Sequence, residues 1–391
     1  MSNNKILSWV QKYTMVLILI LVVLFFAWQT EGKLLLPQNI TNIIAQNAYV
    51  FVLATGMLLC ILTGGNIDLS VGSVVCFAGA VGAIFMSNGM NMWLAVLLML
   101  LIGLVIGAWQ AFWIAFVRVP PFIVTLAGMM VFRGLSNVVL NGKTLAVTNE
   151  AYVRIFGGGA DCYVPDLLGG ADSKFNVLCL LVGGIVCLLY ILMVLRGRIT
   201  RKRKGYEIEA LLPCLAKTVL IVAVIAFFTV KLSQYKGLPT ALIWVALVIL
   251  IYAYITSKTT IGRHFYAVGG NEKATKLSGI NTNRVYFIAY TNMGLLSALA
   301  GMLTIARMTS AQPTYGQNYE MDAIGSCFIG GASAYGGVGT VPGVIIGAVL
   351  MGVINIGMSI MGIDQNLQKV VKGLVLLAAV IFDVVSKREK S

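Results

Sequence analysis

Apolar runs of near-membrane length recur along the chain, separated by short polar stretches. The runs cover 13–28, 40–62, 71–85, 93–116, 122–140, 175–195, 211–230, 238–255, 285–305, 321–329, 341–361 and 370–385. About twenty apolar residues in helix cross a bilayer, so the pattern predicts an all-α polytopic membrane protein of about twelve transmembrane helices. Two polar or glycine-rich interruptions, near 63–70 (TGGNIDLS) and 330–340, predict broken or re-entrant segments. The run 321–329 is short for a full crossing. Residues 1–391 are expected to form one membrane domain.

One polar island stands apart, 256–284, TSKTTIGRHFYAVGGNEKATKLSGINTNR. Gly269-Gly270 is expected to turn the chain there and Asn271 to cap a short helix. Glu272 falls in its first turn and Lys276 in its last, as the helix dipole favours. Gly279 is suited to the left-handed residue that closes it. About two turns of helix do not hold in water alone. Ala274 and Leu277 share one face, so the element reads as a docking helix. Most loops between spans only connect, but a capped helix with an apolar face favours a partner.

Charge sets the sidedness. Lys and Arg outnumber Asp and Glu by 28 to 14. They cluster at Arg196–Lys204 and in the island, so these loops (196–210 and 256–284) are expected to be cytoplasmic. Both termini follow to the same side, and 141–174, with Gly157-Gly158-Gly159 and Gly169-Gly170, becomes an exterior loop. The positive balance is explained by the membrane and needs no nucleic acid. The first run, behind Lys5 and Lys12, reads as a retained helix. Only 11% of residues are charged, too few to clothe a water-soluble fold.

The candidate chemistry is sparse. Seven cysteines are scattered without metal spacing, and His264 has no ligand neighbour in sequence. No catalytic set appears. The glycines of 330–339 lack the lysine of a phosphate loop, so ATP, if used, is bound by another chain. Asp68 reads first as a cap for the helix starting at Val71, a role compatible with lining a path. Asn66, Thr125 and Arg133 are the other candidates for the neighbourhood of a translocation path. Arg133, Arg154 and Arg307 each read singly as snorkelling side chains. The G-x-x-x-G pairs Gly103/Gly107 and Gly343/Gly347 read as helix-packing sites.

These residues resemble the permeases of ABC importers of the ribose/xylose type. The likeness is carried by Gly262-Arg263, Tyr266-Ala267, Gly269-Gly270-Asn271 and Leu277-Ser278-Gly279-Ile280. It is carried also by Ile67-Asp68-Leu69-Ser70-Val71-Gly72, Pro121 to Gly128, Phe132-Arg133-Gly134, Glu320-Met321-Asp322 and Val371-Lys372-Gly373. The hairpin of 175–195 and 211–230 is similar to the xylose and multiple-monosaccharide permeases. The resemblance implies an ABC-importer permease fold in a bacterial inner membrane, working as a permease homodimer. It implies two ATPase subunits, which hold ATP and Mg and dock at Gly270, Asn271, Glu272, Ala274, Leu277, Gly279 and Ile280. It further implies a periplasmic sugar-binding protein, a monosaccharide such as xylose as substrate, and no bond chemistry on this chain. An ion-coupled secondary transporter is the alternative, weakened by the few acids or histidines within the spans.

Overall fold

The computed structural model describes residues 2–157, 162–169, 174–206 and 210–388, with the backbone alone for 2–14, 382 and 385–388. Gly158, Gly159 and Gly170 of the 141–174 stretch, residues 207–209 and Lys390 of the tail lie outside the described residues.

The described chain is built on helices. In order they are α1 Ser2–Gln29, α2 Pro37–Gln46, α3 Ala48–Leu62, α4 Val71–Ser87, α5 Met92–Ala115, α6 Pro121–Leu140, α7 Glu150–Phe156 and α8 Val177–Arg203. They continue with α9 Leu211–Ser233, α10 Thr240–Lys258, α11 Thr260–Gly270, α12 Glu272–Leu277, α13 Thr282–Met308, α14 Tyr319–Ile329, α15 Val341–Ile360 and α16 Gln365–Arg388. Each of the twelve apolar runs falls on a helix or, for 40–62, on the pair α2 and α3. Among the described residues seven helices (α5, α6, α8, α9, α10, α13, α15) are singly long and apolar enough to cross a membrane, and the bent pair α2–α3, taken as one span, adds an eighth. α14 has 11 residues, so at 1.5 Å per residue it reaches only about half of a ~30 Å hydrocarbon core.

The chain packs as two compact units, one of 1–34, 43–162 and 240–391, the other of 35–42 and 163–239. The first is centred on α3 and α13. α3 is apolar all round, which marks a helix enclosed by protein, and all of its residues but Tyr49 are buried. α13 threads the same core and buries 72% of its apolar window. Small residues let α5 approach it. A methyl added at Gly103 would stand 2.5 Å from the Gly294 carbonyl oxygen, and one at Gly107 2.7 Å from that of Thr291. The Gly343/Gly347 pair serves α14 in the same way, against Gly330 and Ser326.

The second unit contains a helical hairpin, α8 and α9, whose apolar windows have almost no fully buried residues within the chain. A methyl on Gly183 would meet Thr229 at 2.2 Å, so this glycine sets the closest approach of the two helices. Basic residues 196–203 continue α8 and do not form a loop, with Arg201, Lys202 and Arg203 in its last turn where the dipole favours cations. Asp166 accepts four backbone N–H groups, from Leu168, Gly169, Val177 and Leu178 (2.8–3.2 Å). Desolvation works against its charge, yet those four donors hold the carboxyl below its usual range.

The described parts of 141–174 carry secondary structure of their own. Leu145–Ala146 (β1) pairs antiparallel with Ser310–Ala311 (β2), and α7 is capped by Asn149, which accepts from Tyr152 N at 3.0 Å. Tyr152 donates to Met302 O (2.9 Å) and Trp244 Nε1 to Ile155 O (3.0 Å), fastening α7 onto α13 and α10. Cys162 is buried here and its thiol donates to Val153 O at 3.2 Å.

Candidate functional site: a clamped helix over two broken segments

α12 forms as its residues dictate. Asn271 Oδ1 accepts from Ala274 N at 2.9 Å. Gly279 takes φ +84°, while Gly279 N reaches Lys276 O (3.1 Å) and Ile280 N reaches Thr275 O (3.3 Å). These bonds satisfy carbonyls that a helix end otherwise leaves open. Ala274 is exposed, and Leu277 is 89% exposed. The two form the outward face the sequence predicts; Thr275 turns inward and is buried.

The expected turn at Gly269-Gly270 is not there. α11 runs through both residues, and neither has a positive φ. The reason for glycine is absence of a side chain. A methyl on Gly269 would lie 1.8 Å from the carbonyl oxygen of Leu62 and 2.4 Å from Gly337 N. Gly270, by contrast, faces open space.

That contact locates α11 on the meeting point of the two interruptions. Gly337 N donates to Leu62 O at 3.1 Å, so the backbone after α3 and the 330–339 stretch are joined directly. Ser333 N donates to Val338 O (2.8 Å) and Ala334 N to the Asp383 carboxylate (3.1 Å). Tyr266 donates to Gly339 O (2.9 Å), adding a side-chain tie from α11.

A charged clamp holds α12 at its base. Arg118, between α5 and α6, contacts Glu272 Oε1 at 2.7 Å, donates to Thr282 Oγ1 at 3.1 Å and to Asn283 Oδ1, and lies over the ring of Tyr286 at 5.2 Å. Tyr286 donates toward Glu272 Oε2 (3.1 Å) and Thr63 O (3.0 Å). Arg118 has φ +65°, unusual for a residue with a side chain and worth about 1 kcal/mol or more of strain. Its four side-chain partners over-determine it. Partial desolvation opposes the charge on Glu272, but the Arg118 hydrogen bond and charge hold its carboxyl below the usual range. A lowered carboxyl keeps its ion pair above the ordinary value of about 4.3 and loses it only as pH falls through the lowered one. The ratio of wild-type to Glu272→Gln transport is therefore expected to stay constant from about pH 6 to 8; convergence of the two within that range would contradict the lowered value.

The path candidates separate into two places. Asp68 is buried and accepts from Ser70 N (2.8 Å) and Ser70 Oγ (2.6 Å), and Gln110 Nε2 donates to Ser70 Oγ at 2.9 Å. The residue at the cap of α4 is Ser70, so Asp68 does not cap that helix; it fixes the serine that precedes it and, through Gln110, ties the break to α5. Gly128 lets α6 join them, since a methyl there would stand 2.5 Å from Gln110 Nε2. Asn66 stays local, 3.4 Å from Thr63 O and from Thr63 Oγ1. Thr125 is buried and turns its hydroxyl to Pro121 O of its own helix (2.9 Å). Arg133 belongs elsewhere and has partners within the protein. Its guanidinium donates to Tyr315 O (2.6 Å) and Pro313 O (3.3 Å), anchoring the connection between β2 and α14. Arg154 is exposed, and Arg307 lines a cavity at the end of α13. His264 is half-buried, and among the described residues no cluster of His, Cys, Asp or Glu could hold a metal.

Two elements were invisible in the sequence. One is the Arg118–Glu272 clamp, whose partners lie on distant segments. The other is the pairing of Asp322, whose carboxylate meets Lys372 Nζ at 2.9 Å and accepts from Tyr49 Oη at 2.7 Å; both charged residues stand in motifs of the resemblance, but nothing in the sequence joins them. It joins α14, α16 and α3.

A family model described as branched-chain amino acid transport system / permease component matches residues 39–380. The chain belongs to this permease family. The permease is 35% identical over 379 residues to the xylose transport system permease protein XylH of Escherichia coli (strain K12), covering 97% of this chain and 93% of that one. Against the XylH protein of Haemophilus influenzae the identity is 35% over 380 residues, 97% of each chain. Against the ribose import permease protein RbsC of Escherichia coli (strain K12) it is 32% over 367 residues, 94% of this chain and 92% of that one. No solved structure matches the permease. It is a multi-pass membrane protein and a transport subunit, not an enzyme.

Proposed function

We propose that this permease is the membrane-spanning subunit of an ATP-binding cassette importer for a monosaccharide, xylose or a related sugar, and that α12 receives a separate ATPase subunit. The observation that carries the docking role is a six-residue helix that presents Leu277 and Ala274 outward while Glu272 and Thr275 fix its base. A short helix held from behind and bare in front is suited to take a load and pass it on. The load has somewhere to go, because α11 bears on the joined breaks and Arg118 leads to the start of α6.

The sidedness follows from charge: the ends carrying α12 and the basic end of α8 are cytoplasmic, as are both termini, in a bacterial inner membrane. Residues 1–391 act as one transmembrane domain, two copies forming the pore. ATP and Mg belong to the partner ATPase, and a periplasmic binding protein supplies the sugar. Alternation between outward- and inward-facing states is then driven by their different affinities for ATP-bound ATPase and loaded binding protein. The family description names branched-chain amino acids, whereas the xylose and ribose relatives are alike over nearly the whole chain; the sugar reading rests on the latter.

Leu277→Arg puts a charge on the centre of the outward face. It is expected to abolish co-purification of the ATPase and reduce ATP-driven uptake at least tenfold, with normal membrane insertion. Unchanged co-purification would remove the docking role. Uptake in vesicles that survives ATP depletion and collapses with an ion gradient would make the protein a secondary transporter.

A further inference from the structure

At the other end of α3 from the α12 junction lies a cavity of about 220 Å³. Its walls come from the α2–α3 break, the end of α13, the start of α14, α15 and the first turns of α16. We infer that this cavity is a binding site for a neutral polyhydroxylated small molecule of monosaccharide size, held within a single copy of the chain. The inference rests on the monosaccharide reading above and adds a location and residues to it.

Three features point to such a ligand. One wall is a stacked aromatic pair, Tyr49 and Tyr319, with ring centroids 3.6 Å apart and planes at 14°; aromatic faces accept the C–H faces of a sugar ring. Beside it, Asn355 Nδ2 donates to Asn47 Oδ1 at 3.0 Å, while Asn355 Oδ1 is buried and has no hydrogen-bond partner among the described residues. A buried acceptor left open is unfavourable, so the site calls for a donor, and a sugar hydroxyl is one. Further polar groups, Gln368, Lys372 and Arg307, also line it.

Charge and size narrow the class. Behind the wall Asp322 is already paired with Lys372 at 2.9 Å and hydrogen-bonded by Tyr49 at 2.7 Å. That carboxylate is not left to receive the ammonium group of an amino acid. Apolar residues, among them Leu303 and Met308, share the lining with the polar groups. The volume is below the ~300–1,000 Å³ of drug-sized pockets. In the proposed orientation the cavity lies toward the exterior, where a binding protein would release its cargo.

Full-length permease in nanodiscs, without ATPase or binding protein, is titrated with radiolabelled D-xylose, using D-ribose and L-leucine as competitors. Saturable xylose binding is expected, displaced by ribose and not by leucine, and weakened at least tenfold by Asn355→Leu. Gln368→Leu, on another wall, is expected to weaken it as well and decides the matter if Asn355→Leu misfolds. Absence of saturable binding, displacement by leucine, or unaltered affinity in the well-folded variants would overturn the site. ATP-driven uptake by the assembled importer keeps the two readings apart: sugar uptake without cavity binding removes the site alone, and absence of any monosaccharide uptake removes the functional reading.

Discussion

Gly269→Val is expected to abolish transport while the protein still inserts in the membrane. Even the first added atom would stand 1.8 Å from Leu62 O and 2.4 Å from Gly337 N, and both obstacles are backbone. Backbone cannot rotate aside as a side chain does, so α11 must lift off the joined breaks. Overpacking of this kind costs about 1–3 kcal/mol, sometimes more, and here the displaced contact is also the one through which α12 bears on the core. Uptake is expected to fall at least tenfold. Gly184→Ala, where an added methyl meets nothing, serves as the comparison and should transport normally. The measurement is initial uptake rate normalised to the amount of folded protein; near-normal uptake by Gly269→Val would show that the junction is not under compression.

Lys372→Met is expected to have the largest effect on stability. The Asp322 side chain is 2% exposed and that of Lys372 16%, so removing the lysine leaves a carboxylate with no compensating charge in an enclosed site. Breaking a buried pair from one side costs about 3–5 kcal/mol, whereas removing both charges often costs little. Asp322→Asn combined with Lys372→Met should therefore recover most of the loss. Thermal unfolding of the wild type, the single variant and the double variant in one detergent tests this. A double variant as unstable as the single would mean that packing of the lysine stem, not its charge, is what α16 needs.

The architecture was largely legible in the sequence because membranes impose a crude rule, and each of the twelve apolar runs lies on helix. α12 was legible for a different reason. Asn271, Glu272, Lys276 and Gly279 act within six to eight residues of one another, so capping chemistry shows in the order of letters. Gly269 was misread because glycine has two uses. A left-handed turn and a missing Cβ leave the same letter, and only the position of Leu62 and Gly337 distinguishes them. Asp68 was read as a cap from its distance to Val71, but its carboxylate reaches Ser70 first. Arg133 looked like a snorkelling residue because hydropathy sees only depth; the carbonyls of Pro313 and Tyr315 that hold it come from a distant segment. The Arg118–Glu272 and Asp322–Lys372 pairs were hidden for the same reason. Their partners are brought together by the fold alone, and no local pattern announces them.

The clamp and the Gly269 contact give α12 two supports of different kinds. One is ionic and runs through Arg118 to the connection between α5 and α6; the other is steric and runs through α11 to both interrupted segments. In mechanical terms this is a doubly braced lever. Arg118→Ala cuts only the compliant strut, and Gly269 remains a hard stop. Under the proposed mechanism, partial slippage follows from loss of the first brace and full disengagement from loss of the second, so the coupling of ATP use to sugar movement degrades in steps.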